Sequence, residues 1–197
     1  MKTRTDILNE IRWKYNYRTY LEIGVDYAPL NFDRIVCPDK VGVDPNPKAN
    51  GTHCMTSDVF FAQCTQTFDL VFIDGLHQSG QCYQDVLNAL KHLDEDGTIV
   101  IHDCNPPDEQ HQTEIQEQNA WTGDVWKAWV KLRAERSDLW MGVVDTDYGV
   151  GVIQRGKQVP ITLKYPLTYS YLDNNRDYLL NLLDPQTYID QLRDHEN

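Results

Sequence analysis

Long apolar runs, basic patches and paired cysteines are all missing from this chain, and each shortage removes a class of protein. No apolar run approaches the roughly 20 residues that a membrane-spanning helix needs, so no membrane association is expected. The first thirteen residues carry Lys2, Arg4 and Arg12 among scattered apolar positions, with no small-residue cleavage site after them; they are not read as a signal peptide. Basic residues are scarce: 18 Lys and Arg stand against 30 Asp and Glu, a formal charge of −12. Phosphate backbones require a basic footprint, so a nucleic-acid partner is not expected, and a neutral or cationic small ligand suits the field better. The five cysteines (Cys37, Cys54, Cys64, Cys82 and Cys104) are odd in number and contain no C-x-x-C pair. That pattern points to reduced thiols in a cytoplasmic protein, not to a disulfide framework or a zinc site.

What is present is an ordinary globular composition, 197 residues with 41% apolar, enough for one domain with a sizeable core. The stretch 68–104 organises the rest. It opens F-D-L-V-F-I-D-G-L-H and closes G-T-I-V-I-H-D-C, two β-branched runs that each end at an acid, Asp74 and Asp103. Between them Cys82, Val86, Leu90 and Leu93 recur at helical spacing. Strand, amphipathic helix, strand is a βαβ unit whose crossover makes the strands parallel, so both carboxyl ends lie on one rim. Open α/β sheets bind ligands on that rim, which gathers Asp74, His77, His102 and Asp103 around one site.

Along the chain, 5–17 is predicted as an amphipathic helix burying Ile7, Leu8, Ile11 and Trp13. Residues 20–24 and 41–44 read as the first two strands, with a weaker strand at 51–55 and a helix capped by Thr56-Ser57-Asp58. From 105 to 119 the composition turns to Pro, Gln and acids, a loop without core-facing period that follows directly on the Asp103 rim; it reads equally as a lid or a surface loop. A helix with Trp126 and Trp129 in the core and a hairpin, 139–144 and 150–154 through D-T-D-Y-G, come next. The expected fold is α/β: a Rossmann-like, doubly wound, mostly parallel seven-stranded sheet with an antiparallel C-terminal hairpin and helices on both faces. Residues 1–156 form the ligand-binding domain, and 157–197 a tail of two short helices, near 168–183 and 185–193. The tail packs either on that domain or on a second copy of the chain. Trp121 and the tail tyrosines are the candidates to line an acceptor pocket.

The first strand ends Glu22-Ile23-Gly24 and the second at Asp44, the spacing at which an acid can accept both hydroxyls of a ribose. The loop V-D-Y-A-P after Gly24 has no second glycine, where a pyrophosphate needs close approach to backbone amides. A nucleoside ligand without phosphates is favoured over NAD or FAD. Taken in order, Y-L-E-I-G-V, V-G-V-D-P, T-S-D, F-D-L-V-F-I-D-G-L-H and L-x-x-x-G-T-I-V-I-H-D resemble the class I S-adenosylmethionine-dependent methyltransferases, over about residues 20–154. The likeness extends to small bacterial methyltransferases of glycan and secondary-metabolite clusters. It implies S-adenosylmethionine as cofactor, with Glu22 and Gly24 at its aminoacyl end, Asp44 on the ribose, Asp58 near the adenine and Asp74 beside the methyl-bearing end. Asp26 and Tyr27 depart from the family by putting bulk and charge in the first loop.

An alcohol acceptor must lose a proton, to a base or with help from a metal that lowers its pKa. His77, His102 and Asp103 are the candidate catalytic residues. Asp74 and Asp103 are candidate ligands for Mg²⁺ or another divalent cation. Cys104 stands after Asp103 where several metal-dependent relatives carry another acid or Asn. The leading expectation is O-methylation of a small molecule or sugar. The alternatives are a metal-dependent hydroxylase or other Rossmann-like enzyme, and a cofactor-binding subunit whose chemistry has lapsed.

Overall fold

A computed structural model describes residues 2–116 and 120–194. The chain opens with α1 (Arg4–Tyr15), whose first turn is fixed by a capping box: the Thr3 side chain accepts the Asp6 N–H, and the Asp6 carboxylate accepts the Thr3 N–H at 2.8 Å. Ile7, Leu8 and Ile11 form its buried stripe. Trp13 is 64% exposed, because two residues past Ile11 lies about 200° round a helix and off that stripe. Asn16 ends the helix in the left-handed region.

The elements that follow are β1 (Thr19–Ile23), β2 (Asp39–Val43), α2 (Ser57–Gln63), β3 (Phe68–Ile73), α3 (Ser79–Lys91), β4 (Leu93–Ile101), α4 (Val125–Glu135), β5 (Leu139–Val144) and β6 (Val150–Arg155). The tail supplies α5 (Tyr169–Asp173), α6 (Arg176–Leu180), β7 (Leu182–Leu183) and α7 (Pro185–Arg193). One seven-stranded sheet results, ordered β2-β1-β3-β4-β6-β5-β7. β1 to β4 run parallel, β6 is antiparallel to both β4 and β5, and β7 is parallel to β5. The expected βαβ unit is present, with β3 and β4 adjacent and parallel.

Side chains alternate across the sheet, so each strand feeds two cores. Val71, Ile73, Ile99 and Ile101 face α2, α3, α4, α5 and α6. Leu70, Phe72, Val100 and Val152 face α1 and α7 on the other side. Trp126 and Trp129 are fully buried in the first core, as the sequence indicates.

Three local expectations are corrected. Leu93 opens β4 instead of closing α3, because the helix ends at His92 and Leu93 pairs with Phe68 before the register shifts. The strand at 51–55 reduces to one bridge, Val43 to His53; the sheet's seventh strand is β7, from the tail. The helix near 168–183 is broken: Asn175 is extended in φ ahead of α6, and Asn181 ends α6 in the left-handed region, which frees Leu182–Leu183 to pair with β5. Within this chain α7 packs on α1 and α6 on α4. No helix among the described residues is long and apolar enough to cross a membrane.

Trp129 and Trp13 make a paired test of this packing. Trp129→Ala should cost about 3–5 kcal/mol in urea unfolding through loss of buried contacts. Trp13→Ala should stay within about 0.5 kcal/mol.

Candidate active site

The sheet reverses direction of winding between β1 and β3: the chain leaves β1 toward β2 on one side and leaves β3 toward β4 on the other. A crevice at the carboxyl ends of the strands follows from that reversal. Gly24 sits at its throat with φ +84°, and a Cβ there would lie 2.2 Å from the carbonyl oxygen of Asp74. Only glycine lets the two backbones meet so closely. The crevice opens into a cavity of about 760 Å³.

At one end Asp44 accepts the backbone N–H groups of Asp26 at 2.9 Å and of Asn46 at 2.7 Å, one on each carboxylate oxygen. Each oxygen keeps a further lone pair for a ligand. Asp58, in the first turn of α2, also lines the cavity and accepts from Gln81 Nε2 at 3.2 Å. Asp26 lines the cavity, whereas Tyr27 is 56% exposed and outside it, so the bulk in the first loop leaves the site open.

Glu22 lines the middle and is buried at 1% exposure. Tyr20 Oη donates to it at 2.5 Å and Asn31 Nδ2 at 2.9 Å, while Asn31 Oδ1 accepts from Thr5 Oγ1 at 2.7 Å. Burial outweighs those donors and pushes the Glu22 carboxyl up to about 8.

The far end gathers the four rim residues. His102 Nδ1 lies 3.3 Å from Asp74 and 3.2 Å from Asp103; His77 lies 3.4 Å from Asp74 and 3.2 Å from Asp103. Asp103 takes a left-handed φ of +62° at the end of β4. His77 also faces the Trp121 carbonyl at 3.0 Å through Nδ1 and stacks on the Trp121 ring, centroids 5.1 Å apart. It does not cap α3: Asp124 does, accepting the Ser79 N–H at 2.6 Å. Burial works against the charge of His102, but Asp74 and Asp103 outweigh it and raise its pKa well above the ordinary histidine value. His77 is raised too, against burial, by Asp74 and Asp103. Burial likewise opposes ionisation of Asp74, yet His102 and His77 hold its carboxyl below the usual carboxylate range. Both shifts favour the protonated imidazole, so a His base here works at a pH above the ordinary histidine range.

Two elements that sequence reading left out of the site enter it. Arg4, the first residue of α1, places Nε 3.7 Å from Asp74 and Nη1 3.5 Å from His102 Nε2. The β5–β6 turn supplies Asp147, which accepts the Arg4 N–H at 2.8 Å, and Tyr148, which lines the cavity. Both turn residues are left-handed, with φ +48° and +61°. A tyrosine in a slot that favours glycine or asparagine was the available signal. Arg4 carried none, since only tertiary packing brings it across.

Residues 105–116 contain no helix or strand but are held in place; 117–119, the rest of the expected loop, lie outside the described residues. Arg176 donates to the Pro106 carbonyl at 2.8 Å, Tyr169 Oη to Pro107 at 2.9 Å, and Trp121 Nε1 to Thr113 at 2.6 Å. Trp121 lines the cavity as expected; the tail tyrosines do not, and Tyr169 instead grips the start of this loop. Cys82 and Cys104 are buried, with thiols pushed up by burial, and act as packing. Among the described residues Asp74, His102 and Asp103 form a cluster whose ligand atoms all lie within 4.8 Å of one another.

The architecture is a Rossmann-like sheet with an antiparallel strand inserted near its end, a fold this chain shares with methyltransferases of solved structure. Residues 39–104, from β2 to just past β4, match a family model described as a methyltransferase domain. The chain is similar in structure to the SAH-bound methyltransferase PaMTH1 of Podospora anserina, at TM-score 0.57, 15% identity and 80% coverage of each chain. The O-methyltransferase TomG of Streptomyces achromogenes, involved in tomaymycin synthesis and solved with SAM, aligns at TM-score 0.55 and 18% identity over 76% of this chain and 78% of its own. CalS10 of Micromonospora echinaspora, a SAM-bound amino pentose methyltransferase, aligns at TM-score 0.55 and 13% identity over 77% and 89%. A search of curated protein sequences finds no match.

The charge on His102 links the site to stability. Its contribution is fully present below the unfolded histidine value, about 6.5, and is lost as pH climbs through the higher folded value. Unfolding free energy measured from pH 6 upward should fall in the wild type, and His102→Gln should flatten that decline.

Proposed function

We propose that this protein is an S-adenosylmethionine-dependent methyltransferase acting on a hydroxyl of a small molecule or sugar. The observation that carries the reading is the row of carboxylates along one crevice, Asp44, Glu22 and Asp74, opening on a His/Asp cluster beside Trp121 and Tyr148. The residues suit the cofactor. Asp44 has lone pairs for two ribose hydroxyls, Gly24 leaves the crevice floor clear, Asp74 offers negative charge toward a sulfonium and an ammonium, and Glu22 lines the wall between them as a buried carboxyl. Asp58 stands at the nucleoside end.

The bound cofactor supplies a methyl group already activated on a cationic sulfur. The chain's part is then alignment and proton management. His77 is the more accessible imidazole, its side chain 22% exposed against 6% for His102. We assign the acceptor's proton to His77, with Asp103 fixing the ring and His102 acting as a buried positive charge that keeps Asp74 ionised. Asp44→Ala removes charge-assisted hydrogen bonds, so its affinity for S-adenosylhomocysteine in calorimetry should fall at least tenfold, given about 1.5–3 kcal/mol per such bond. Absence of binding to the folded wild type would sink the cofactor reading.

A second reading places a divalent cation on Asp74 and Asp103, and the compactness of the Asp74/His102/Asp103 cluster favours it. As arranged, Arg4 and the raised His102 already balance those acids, so the cluster suits a metal poorly until His102 gives up its proton. Methyl transfer should therefore survive exhaustive chelation; loss on chelation with recovery on adding Mg²⁺ selects the metal reading. Tight S-adenosylhomocysteine binding with no transfer to a panel of hydroxylated acceptors selects a lapsed subunit.

A further inference from the structure

Seven carboxylate side chains line the cavity among the described residues, and of the lysines and arginines only Arg4 joins them. That imbalance matters for the methionine end of the cofactor, which carries a carboxylate as well as an ammonium and a sulfonium. The acids can meet both cations. A ligand carboxylate in the same acidic space is repelled unless a positive charge receives it, and the His77 and His102 imidazoles are already engaged with Asp74 and Asp103.

Arg4 stands where that charge is needed. It lies beside Asp74 and His102, at the reactive end of the crevice and not at the Asp44 end. Its Nη1 donates to Asp147, but Nε is buried without a hydrogen-bond partner, and Nη2 makes no hydrogen bond among the described residues. The guanidinium thus keeps donors in hand, and its planar fork matches a carboxylate. Its backbone is fixed on both sides: the capping box at Thr3 sets the first turn of α1, and the Arg4 N–H and Lys2 carbonyl are tied to Asp147 and Thr146 of the β5–β6 turn.

We propose, resting on the cofactor reading above, that Arg4 is the residue that receives the α-carboxylate of the methionine moiety, and that the β5–β6 turn holds it in position. The N-terminal helix is then part of the binding site and not only a cover for one face of the sheet.

Calorimetry with two nucleosides tests this. S-adenosylhomocysteine carries the amino-acid end; 5′-methylthioadenosine has the same nucleoside and thioether sulfur without it. Arg4→Ala should weaken S-adenosylhomocysteine at least tenfold while changing 5′-methylthioadenosine less than twofold, with Arg4→Lys in between. Retained S-adenosylhomocysteine affinity in Arg4→Ala, or an equal loss for both ligands, would overturn the assignment. The wild type gives a test that needs no variant: the decarboxylated analogue of S-adenosylhomocysteine should bind at least tenfold more weakly than the parent, and equal binding refutes the role. If neither nucleoside binds the wild type, the cofactor reading itself fails and the proposal falls with it.

Discussion

Backbone contact between Gly24 and Asp74 sets the geometry on which the rest of the site depends. The two strands that diverge in winding, β1 and β3, end within van der Waals reach of each other only because residue 24 has no side chain. Held that near, the ends of β1 and β3 bring Glu22 and Asp74 to one wall. β2 and β4, as their outer neighbours in the sheet, then bring Asp44 and Asp103 to the same rim. These four acids are thus positioned at strand ends, whose spacing is fixed by backbone hydrogen bonds, whereas His77, Trp121 and Tyr148 come from loops and turns.

Electrostatics at the rim follow from that packing. Acids and imidazoles that would titrate independently in water are forced into a shared, poorly solvated volume, and each partner's ionised form becomes the condition for the other's. Arg4 and Asp147 extend the same alternation of sign outward to α1 and the β5–β6 turn. Glu22 stands apart. It is enclosed by neutral donors, so burial dominates and its carboxyl holds a proton at pH values where Asp74 does not.

The central sheet and one side of the site were legible in the sequence for a physical reason. Buried parallel strands demand β-branched runs, and their ends are marked by the acids and glycines that follow, as at Ile73-Asp74 and Ile101-His102-Asp103. Elements governed by short-range competition were less readable. Leu93 has the spacing of the helix before it but is taken by the strand, since pairing with Phe68 wins over one more helical turn. Residues 175 and 181, both asparagine, bound α6 at its two ends by non-helical backbone conformations that apolar periodicity does not register. Arg4 and Asp147 were invisible because their partners lie some 70 to 143 positions away. No local pattern encodes such contacts.

The insertion of β6 between β4 and β5 has a consequence for how the molecule is made. β4 carries His102 and Asp103 at its end, and one of its edges is covered only by β6, which begins about 50 residues later in the chain. During synthesis the strand that bears half of the rim emerges with unpaired N–H and C=O groups along that edge. They stay unpaired until Val150–Arg155 has left the ribosome. Over that interval β4 is open to pairing with another nascent copy, and the acidic surplus of the chain, by mutual repulsion, opposes that encounter.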